Sequence, residues 1–111
     1  MDGNEDDTLL IYTTLETAHD ASDLGSSLVD SRLAACVNII PGMQSIYQWE
    51  GKRCEASEVV MIVKTRRKCL EAALKHMNST HPYDTPALIV IDPLTVSENF
   101  ATWIVQQTGS E

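Results

Sequence analysis

The chain has 111 residues and a mass of 12.3 kDa, which is the size of one ordinary domain. Its formal net charge of −8 disfavours DNA, RNA or an anionic membrane as a partner, because phosphate binding needs a basic surface. The longest unbroken apolar stretches have five residues, as in Val59–Val63. A membrane-spanning helix needs about 20, so we expect no membrane span.

Residues 1–7 are acidic, and the three cysteines show no spacing typical of a disulfide framework or a metal site. A secretory signal needs a positively charged start and an apolar run; this segment has neither. We therefore expect a disordered acidic tail over 1–7 and a single domain over 8–108. Cys36, Cys54 and Cys69 are an odd number without a CxxC pair, which predicts free thiols in a reducing cytoplasm. We expect Cys36 and Cys69 to be buried as small apolar residues and Cys54 to be exposed near the turn.

The first half of the domain reads as a strand, a helix and a long hairpin. Thr8–Thr14 is rich in β-branched and aromatic residues and predicts a buried strand. Apolar residues at three- and four-residue spacing then predict a helix from Ala18 to about Leu33. Gly25 lies inside this helix and predicts a close approach of helix to sheet, which would offset its cost of about 1 kcal/mol relative to Ala.

Residues 35–49 and Glu58–Thr65 alternate as strand residues do. Pro41 and Gly42 interrupt the first of these strands and predict a bulge or an edge. Trp49–Lys52 predicts a tight turn in which the glycine takes a positive φ.

The second half reads as a helix, a stiff loop, a strand and a last helix. Arg66–Asn78 predicts the second helix, and Ser79–Pro86 is a loop with two prolines. Ala87–Ile91 is apolar throughout and predicts a strand that is either buried on both sides or central in the sheet. Ser97 can cap a last helix, whose inward side chains are expected to be Phe100, Trp103 and Ile104.

The predicted order is β-α-β-β-α-β with an extra C-terminal helix. This is the α+β ferredoxin-like arrangement, in which two helices cover one face of a four-stranded antiparallel sheet. The two arms of the hairpin, near residues 36–49 and 53–65, have about 13 residues each and could reach about 43 Å, whereas a domain of this size is only about 35 Å across. The hairpin should therefore project and expose apolar side chains, which predicts an oligomer of unspecified copy number.

Local spacing gives little support for a metal or catalytic site. His19 and Asp23 are one helical turn apart, but two ligands do not make a dedicated site, and Cys69 and His76 are about 10 Å apart along a helix. The sequence contains no HExxH, GxSxG or phosphate-binding glycine motif. His81 is held extended before Pro82; it is either a structural histidine bonded to backbone or a ligand in a cleft.

Glu58 and Lys64 have the same strand parity and so lie on one face of the sheet. Six residues separate them by about 20 Å, so each would need a partner from elsewhere. Either a structural ion pair or a ligand-binding pocket is consistent with this pattern.

Four segments together resemble the CutA family, the divalent-cation tolerance proteins. They are RLAACVNIIPG (32–42), SIYQWEGK (45–52), EVVMIVKT (58–65) and HPYDTP (81–86). The resemblance covers about residues 8–107. It implies a heat-stable cytoplasmic homotrimer assembled through long strands, similar in architecture to the PII signalling proteins, that binds copper or another divalent cation and has no settled catalytic activity.

The resemblance also implies a set of site residues. Of the three copper ligands proposed for bacterial members, only the histidine carries over, as His81; Tyr12 stands at the cysteine position and Ala87 at the glutamate position. Metal binding is therefore expected to be weak and to depend on His81, with no obligatory cofactor. Matching positions that would line a cleft near a subunit boundary are Tyr47, Trp49, Glu58, Lys64 and Tyr83.

Three hypotheses about function follow. The first is a non-enzymatic trimeric protein of divalent-metal tolerance, with copper as the metal. The second is a PII-like sensor that binds a small anionic ligand in the intersubunit cleft beside Lys64. The third is a hydrolase that uses the same cleft.

Overall fold

A computed structural model describes residues 3–109 of the chain. Within that range the elements follow the predicted order, βαββαβ with an additional C-terminal helix. They are β1 (Thr8–Leu15), α1 (Ala18–Asp30), β2 (Cys36–Trp49), β3 (Lys52–Arg66), α2 (Arg67–Thr80), β4 (Ile89–Ile91) and α3 (Glu98–Gln107).

The strands form one antiparallel sheet in the order β2-β3-β1-β4, which confirms the ferredoxin-like α+β fold. Side chains on one face of the sheet, such as Ile11 and Met61, are fully buried and pack against Leu28 of α1 and Met77 of α2. We call this the covered face. The opposite side is the open face, and α3 packs against one end of it. Apolar residues on the open face include Leu10, Tyr12, Ile62, Ile89 and Ile91.

The prediction for β4 was wrong in length and in place. The strand is limited to Ile89–Ile91 and lies at the edge of the sheet, where all three side chains are exposed. An unbroken apolar run is typical of a buried strand, but the same pattern arises where a strand is covered by something outside the single chain. No helix among the described residues is long and apolar enough to cross a membrane.

Helix α1 is fixed at both ends by local hydrogen bonds. The Asp20 N–H donates to Oγ1 of Thr17 at 3.0 Å, which caps the start. The helix ends at Asp30, earlier than predicted, because Arg32 takes a left-handed φ of 62°. A Cβ on Gly25 would lie 2.7 Å from Cγ2 of Val37, which confirms the predicted close approach to the sheet.

The β2–β3 hairpin projects as predicted. The register shifts between Ile40 and Met43, which confirms an irregularity at Pro41 and Gly42. Glu50 and Gly51 both have positive φ, at 51° and 80°, as a two-residue turn of type I′ requires. The molecule measures 45 × 29 × 23 Å, so its long axis exceeds the ~35 Å of a compact domain of this size.

The acidic N-terminal segment differs from the predicted disordered tail. The N–H groups of Arg67 and Lys68 donate to the carbonyls of Asp7 and Glu5, both at 2.9 Å, and Asp6 pairs with Arg66 at 2.8 Å. Because α2 has no side-chain cap, these carbonyls supply acceptors that its first N–H groups need. Residues 1 and 2 of the predicted tail lie outside the described residues.

Several smaller side-chain predictions also differ. Cys69 is buried as expected, but Cys36 is only half-buried, because it lies on the open face opposite Lys64. Cys54 is half-buried rather than exposed. In α3 only Ile104 is buried; Phe100 and Trp103 stack at 5.8 Å and stay partly exposed.

Candidate functional site

His81 directly follows α2 and turns the chain toward Pro82. Its N–H donates to the carbonyl of Met77 at 2.8 Å, and its φ of −65° and ψ of 136° are extended, as a following proline favours. The side chain reaches β1, where Nε2 lies 3.0 Å from the carbonyl oxygen of Thr14 and 3.1 Å from Oγ1 of Thr13. The ring therefore anchors the loop to the central part of the sheet.

Hydrogen bonds occupy both ring nitrogens of His81. The N–H of Tyr83 donates to Nδ1 at 3.1 Å, so we assign the ring proton to Nε2, which donates to the Thr14 carbonyl. Burial lowers the pKa of His81 below its ordinary value, outweighing the Thr14 hydrogen bond and the charge of Asp20, which raise it. The ring is mainly neutral at pH 7, and a metal ion that bound it would displace one of these hydrogen bonds.

Glu58 lies on the open-face side of the hairpin and links the hairpin to the loop after α2. Ser45 Oγ donates to Oε1 of Glu58 and the Tyr83 hydroxyl donates to Oε2, each at 2.6 Å. Burial opposes ionisation of Glu58, but donors from Ser45, Tyr83 and Thr14 outweigh it and hold the pKa of the carboxyl below its ordinary value. Glu58 is therefore an ionised acceptor at neutral pH.

Tyr83 contacts both neighbours in this group. Its ring centroid lies 4.9 Å from that of His81. Burial raises the pKa of the Tyr83 hydroxyl, and the adjacent Glu58 carboxylate raises it further, with smaller contributions from Glu16 and Tyr47. The hydroxyl thus remains protonated as a donor to Glu58. We call Ser45, Glu58, His81 and Tyr83 the Glu58 cluster.

The other predicted cleft residues are not part of the Glu58 cluster. Tyr47 lies beyond Ser45 on the same side of β2, and Trp49 lies at the hairpin tip with 58% of its surface exposed. Lys64 is six residues along β3, and its Nζ lies 5.4 Å from the ring centroid of Phe100. The structure therefore brings Glu58, His81 and Tyr83 together and leaves Lys64 at α3.

Sequence reasoning missed the partners that complete the cluster. Thr13 and Thr14 read as ordinary strand residues. No local signal marks them as neighbours of His81, which follows them by 68 and 67 positions respectively. Ser45 was included in a motif but given no role. The signal that could have placed it is the register counted back from the turn at Glu50 and Gly51, which pairs Met43 with Glu58 and so puts Ser45 on the same face as Glu58.

Two surface grooves contain no residue of the Glu58 cluster in their lining. One, of about 320 Å³, lies between α1 and the end of α2 and includes Asp20, Asp23 and His76. The other, of about 350 Å³, lies between the N-terminal segment and the loop before α3. Across residues 3–109, no group of three His, Cys, Asp or Glu side chains converges as a metal site would require.

Residues 9–107 match the family described as CutA1 divalent ion tolerance protein. The chain belongs to this family. It is 40% identical over 98 residues to the divalent-cation tolerance protein CutA of Pectobacterium atrosepticum, covering 88% of this chain and 89% of that protein. It is 38% identical over 101 residues to the chloroplastic CutA of Arabidopsis thaliana, covering 91% of this chain but 56% of that longer relative.

Solved structures of the same family share the fold. The divalent ion tolerance protein CutA1 of Ehrlichia chaffeensis superimposes with a TM-score of 0.91 at 35% identity, over 94% of this chain and 97% of that one. The divalent cation tolerance protein of Thermus thermophilus gives 0.87 at 30% identity, over 92% and 99%. A periplasmic CutA from Archaeoglobus fulgidus gives 0.86, so relatives occur in more than one compartment.

Proposed function

We propose that the protein acts in the tolerance of divalent metal ions as a cytoplasmic, non-catalytic homotrimer that binds copper or a similar ion weakly. The observation that carries this proposal is the match of residues 9–107 to the divalent ion tolerance family. The open face of the fold supports the homotrimer. The hydrogen bonds and pKa shifts of the Glu58 cluster support the non-catalytic role.

The open face supports assembly. Ile40, Ile89 and Ile91 are 49%, 52% and 42% exposed in the single chain, and β4 is an edge strand with unpaired backbone groups on its outer side. Exposed apolar edge strands pair with other chains unless something covers them. A further copy of the chain would cover both the exposed isoleucines and the unpaired outer side of β4. The family resemblance favours three copies.

The Glu58 cluster supports a non-catalytic role. A general acid or base works best when its pKa lies near the working pH. Here the pKa of Tyr83 is raised and that of Glu58 lowered, so both move away from neutrality. Both nitrogens of His81 are engaged in hydrogen bonds. The cluster is built to hold the loop against the hairpin rather than to move protons.

The PII-like alternative is less well supported. A small anion in the cleft would need a cation near Glu58, but Lys64 contacts Phe100 instead, and the cluster carries the ionised Glu58. Soaking the protein in phosphate, citrate or a nucleotide and measuring protection from thermal unfolding tests this alternative. Protection that disappears in Lys64→Ala would favour the sensor over the metal-tolerance protein.

The proposed function is tested in cells and in solution. Cells that lack their own member of the family should grow at higher CuSO₄ when they express this chain than when they carry an empty vector. The purified protein should have a mass of about three times 12.3 kDa by light scattering. Unchanged copper sensitivity, or a monomer that persists at high concentration, would contradict the proposal.

A further inference from the structure

We propose that divalent copper binds to the exposed pair His19 and Asp23 on α1, a site that rests on the metal binding of the proposed function but lies apart from the Glu58 cluster. The chain has three histidines, and the structure gives each a different neighbourhood. Imidazole is the side chain best suited to Cu(II) among those available outside the cysteines. The question is therefore which imidazole is free to coordinate.

Two of the three rings are already committed to protein partners. His81 is 8% exposed, and its nitrogens contact the Thr14 carbonyl and the Tyr83 N–H. His76 is half-buried, and its Nε2 lies 2.8 Å from Oγ of Ser27, where it joins α2 to α1. A metal ion at either nitrogen of His81, or at Nε2 of His76, would break a contact that holds two segments together.

His19 differs because its neighbour is a carboxylate and both groups face water. Nε2 of His19 lies 3.3 Å from Oδ2 of Asp23, and the two side chains are 83% and 71% exposed. Residues at i and i+4 lie on the same side of a helix, one turn apart. The helix therefore presents one nitrogen and one oxygen donor side by side, one turn apart.

The separation of these donors fits a shared ion. Imidazole nitrogen and carboxylate oxygen bind a metal of this size at about 2.0–2.2 Å, so two donors on one ion are about 2.8–3.5 Å apart for angles between 90° and 109°. The observed 3.3 Å lies within this range. Both side chains can thus bind one ion with small rotamer changes, and water completes the coordination.

Charge near the pair also favours a cation. Asp20 follows His19 directly, and Asp20 and Asp23 both line the groove between α1 and α2. The formal charge of the whole chain is −8, which raises the local concentration of cations. With only two protein donors the site is weak, in keeping with the finding that no three such side chains converge within residues 3–109.

Calorimetric titration with CuSO₄ under argon, together with the Cu(II) EPR spectrum, tests the site on the full chain. The wild type should bind one ion per chain with a nitrogen hyperfine signal. His19→Ala should weaken binding about tenfold or more, since loss of even a supporting partner commonly costs 10–100-fold. Asp23→Asn should weaken it less and leave the nitrogen signal.

The matched controls are His76→Ala and Cys54→Ser, each of which should leave the copper affinity within about twofold of wild type, because neither removes a donor from the site. Thiol counts before and after titration check that copper has not oxidised the cysteines. Exposed positions such as His19 tolerate substitution, so circular dichroism should show every α1 variant folded.

The site would be overturned by wild-type affinity in His19→Ala, by loss of binding in either control, or by a wild type that binds no copper at millimolar concentration. The test in cells separates this result from the proposed function. Copper tolerance with unchanged binding in His19→Ala would refute the site alone. Binding that maps to His19 without any tolerance would refute the proposed function alone.

Discussion

The two faces of the sheet show how differently one strand can be used. In β1, Ile11 points to the covered face and is fully buried, whereas its neighbour Leu10 points to the open face and is only half-buried. The covered face is completed by α1 and α2 of the same chain. The open face carries comparable apolar side chains but has only α3 at one end. The difference indicates one interior that the chain closes by itself and one apolar face that the proposed assembly would close.

The largest expected effect is on the covered face. Ile11→Ala should lower the free energy of unfolding by about 2–5 kcal/mol, because it leaves a cavity in a closed core. Leu10→Ala on the same strand is the matched variant, and its effect should depend on protein concentration. Urea unfolding at several concentrations measures both; equal, concentration-independent losses would erase the distinction between the faces.

The hairpin tip should behave like the open face. Trp49 is 58% exposed in the single chain, so its ring contributes little to the folding of that chain. Truncating a buried interface tryptophan commonly costs about 2 kcal/mol or more, so Trp49→Ala should weaken assembly while the monomer stays folded. Sedimentation velocity over a dilution series reports this, and a variant that stays trimeric with an unchanged Tm would show that Trp49 is no anchor.

Gly25 tests how tightly the covered face is packed. A methyl group there would lie 2.7 Å from Cγ2 of Val37, and overpacking costs about 1–3 kcal/mol. Removing a glycine from a helix gains about 1 kcal/mol, so Gly25→Ala should destabilise by about 2 kcal/mol at most. Ser26→Ala, at an exposed position of the same helix, is the control; a stabilised Gly25→Ala would mean that Val37 moves freely.

The link between Glu58 and Tyr83 should appear in the pH dependence of stability. Because the pKa of Glu58 is lowered on folding from 4.5, its contribution is present above about pH 4.5 and is lost as the pH falls through the folded value. Tyr83→Phe should cost about 1 kcal/mol at pH 7 and less at pH 3. Tyr47→Phe is the control, and an equal loss for Tyr83→Phe at both pH values would contradict a link through the Glu58 charge.

The sequence predicted what is encoded locally. The pairing of β2 with β3, the bulge at Pro41 and Gly42 and the turn at Gly51 follow from strand periodicity and from residues with restricted or permissive backbones. The error at β4 has the opposite origin. Apolar composition indicates that Ile89–Ile91 is covered, but it cannot tell whether the cover is a helix of the same chain or another subunit.

The sequence predicted less of the candidate site than of the fold, because some contacts of the site form only through tertiary packing. His81, Glu58 and Tyr83 were selected because they occur in recognisable segments, and the structure does bring them together. Lys64 entered the set of cleft residues through the family resemblance; strand parity puts it on the same face as Glu58, but six strand residues span about 20 Å, and Lys64 lies beside Phe100 instead. Thr13 and Thr14 contact His81 through tertiary packing, which no local pattern contains.

The smallest expected effect concerns the three thiols, which sample the different environments of the fold. Cys69 is a buried residue of α2, Cys36 is half-buried on the open face and Cys54 is half-buried on the hairpin. All three thiols are free. A thiol reductant therefore has no disulfide to break, and the Tm in differential scanning calorimetry should not change when it is added. A marked fall would reveal a bond between chains, and Cys36 would be its first candidate, because the proposed assembly would cover the face on which it lies.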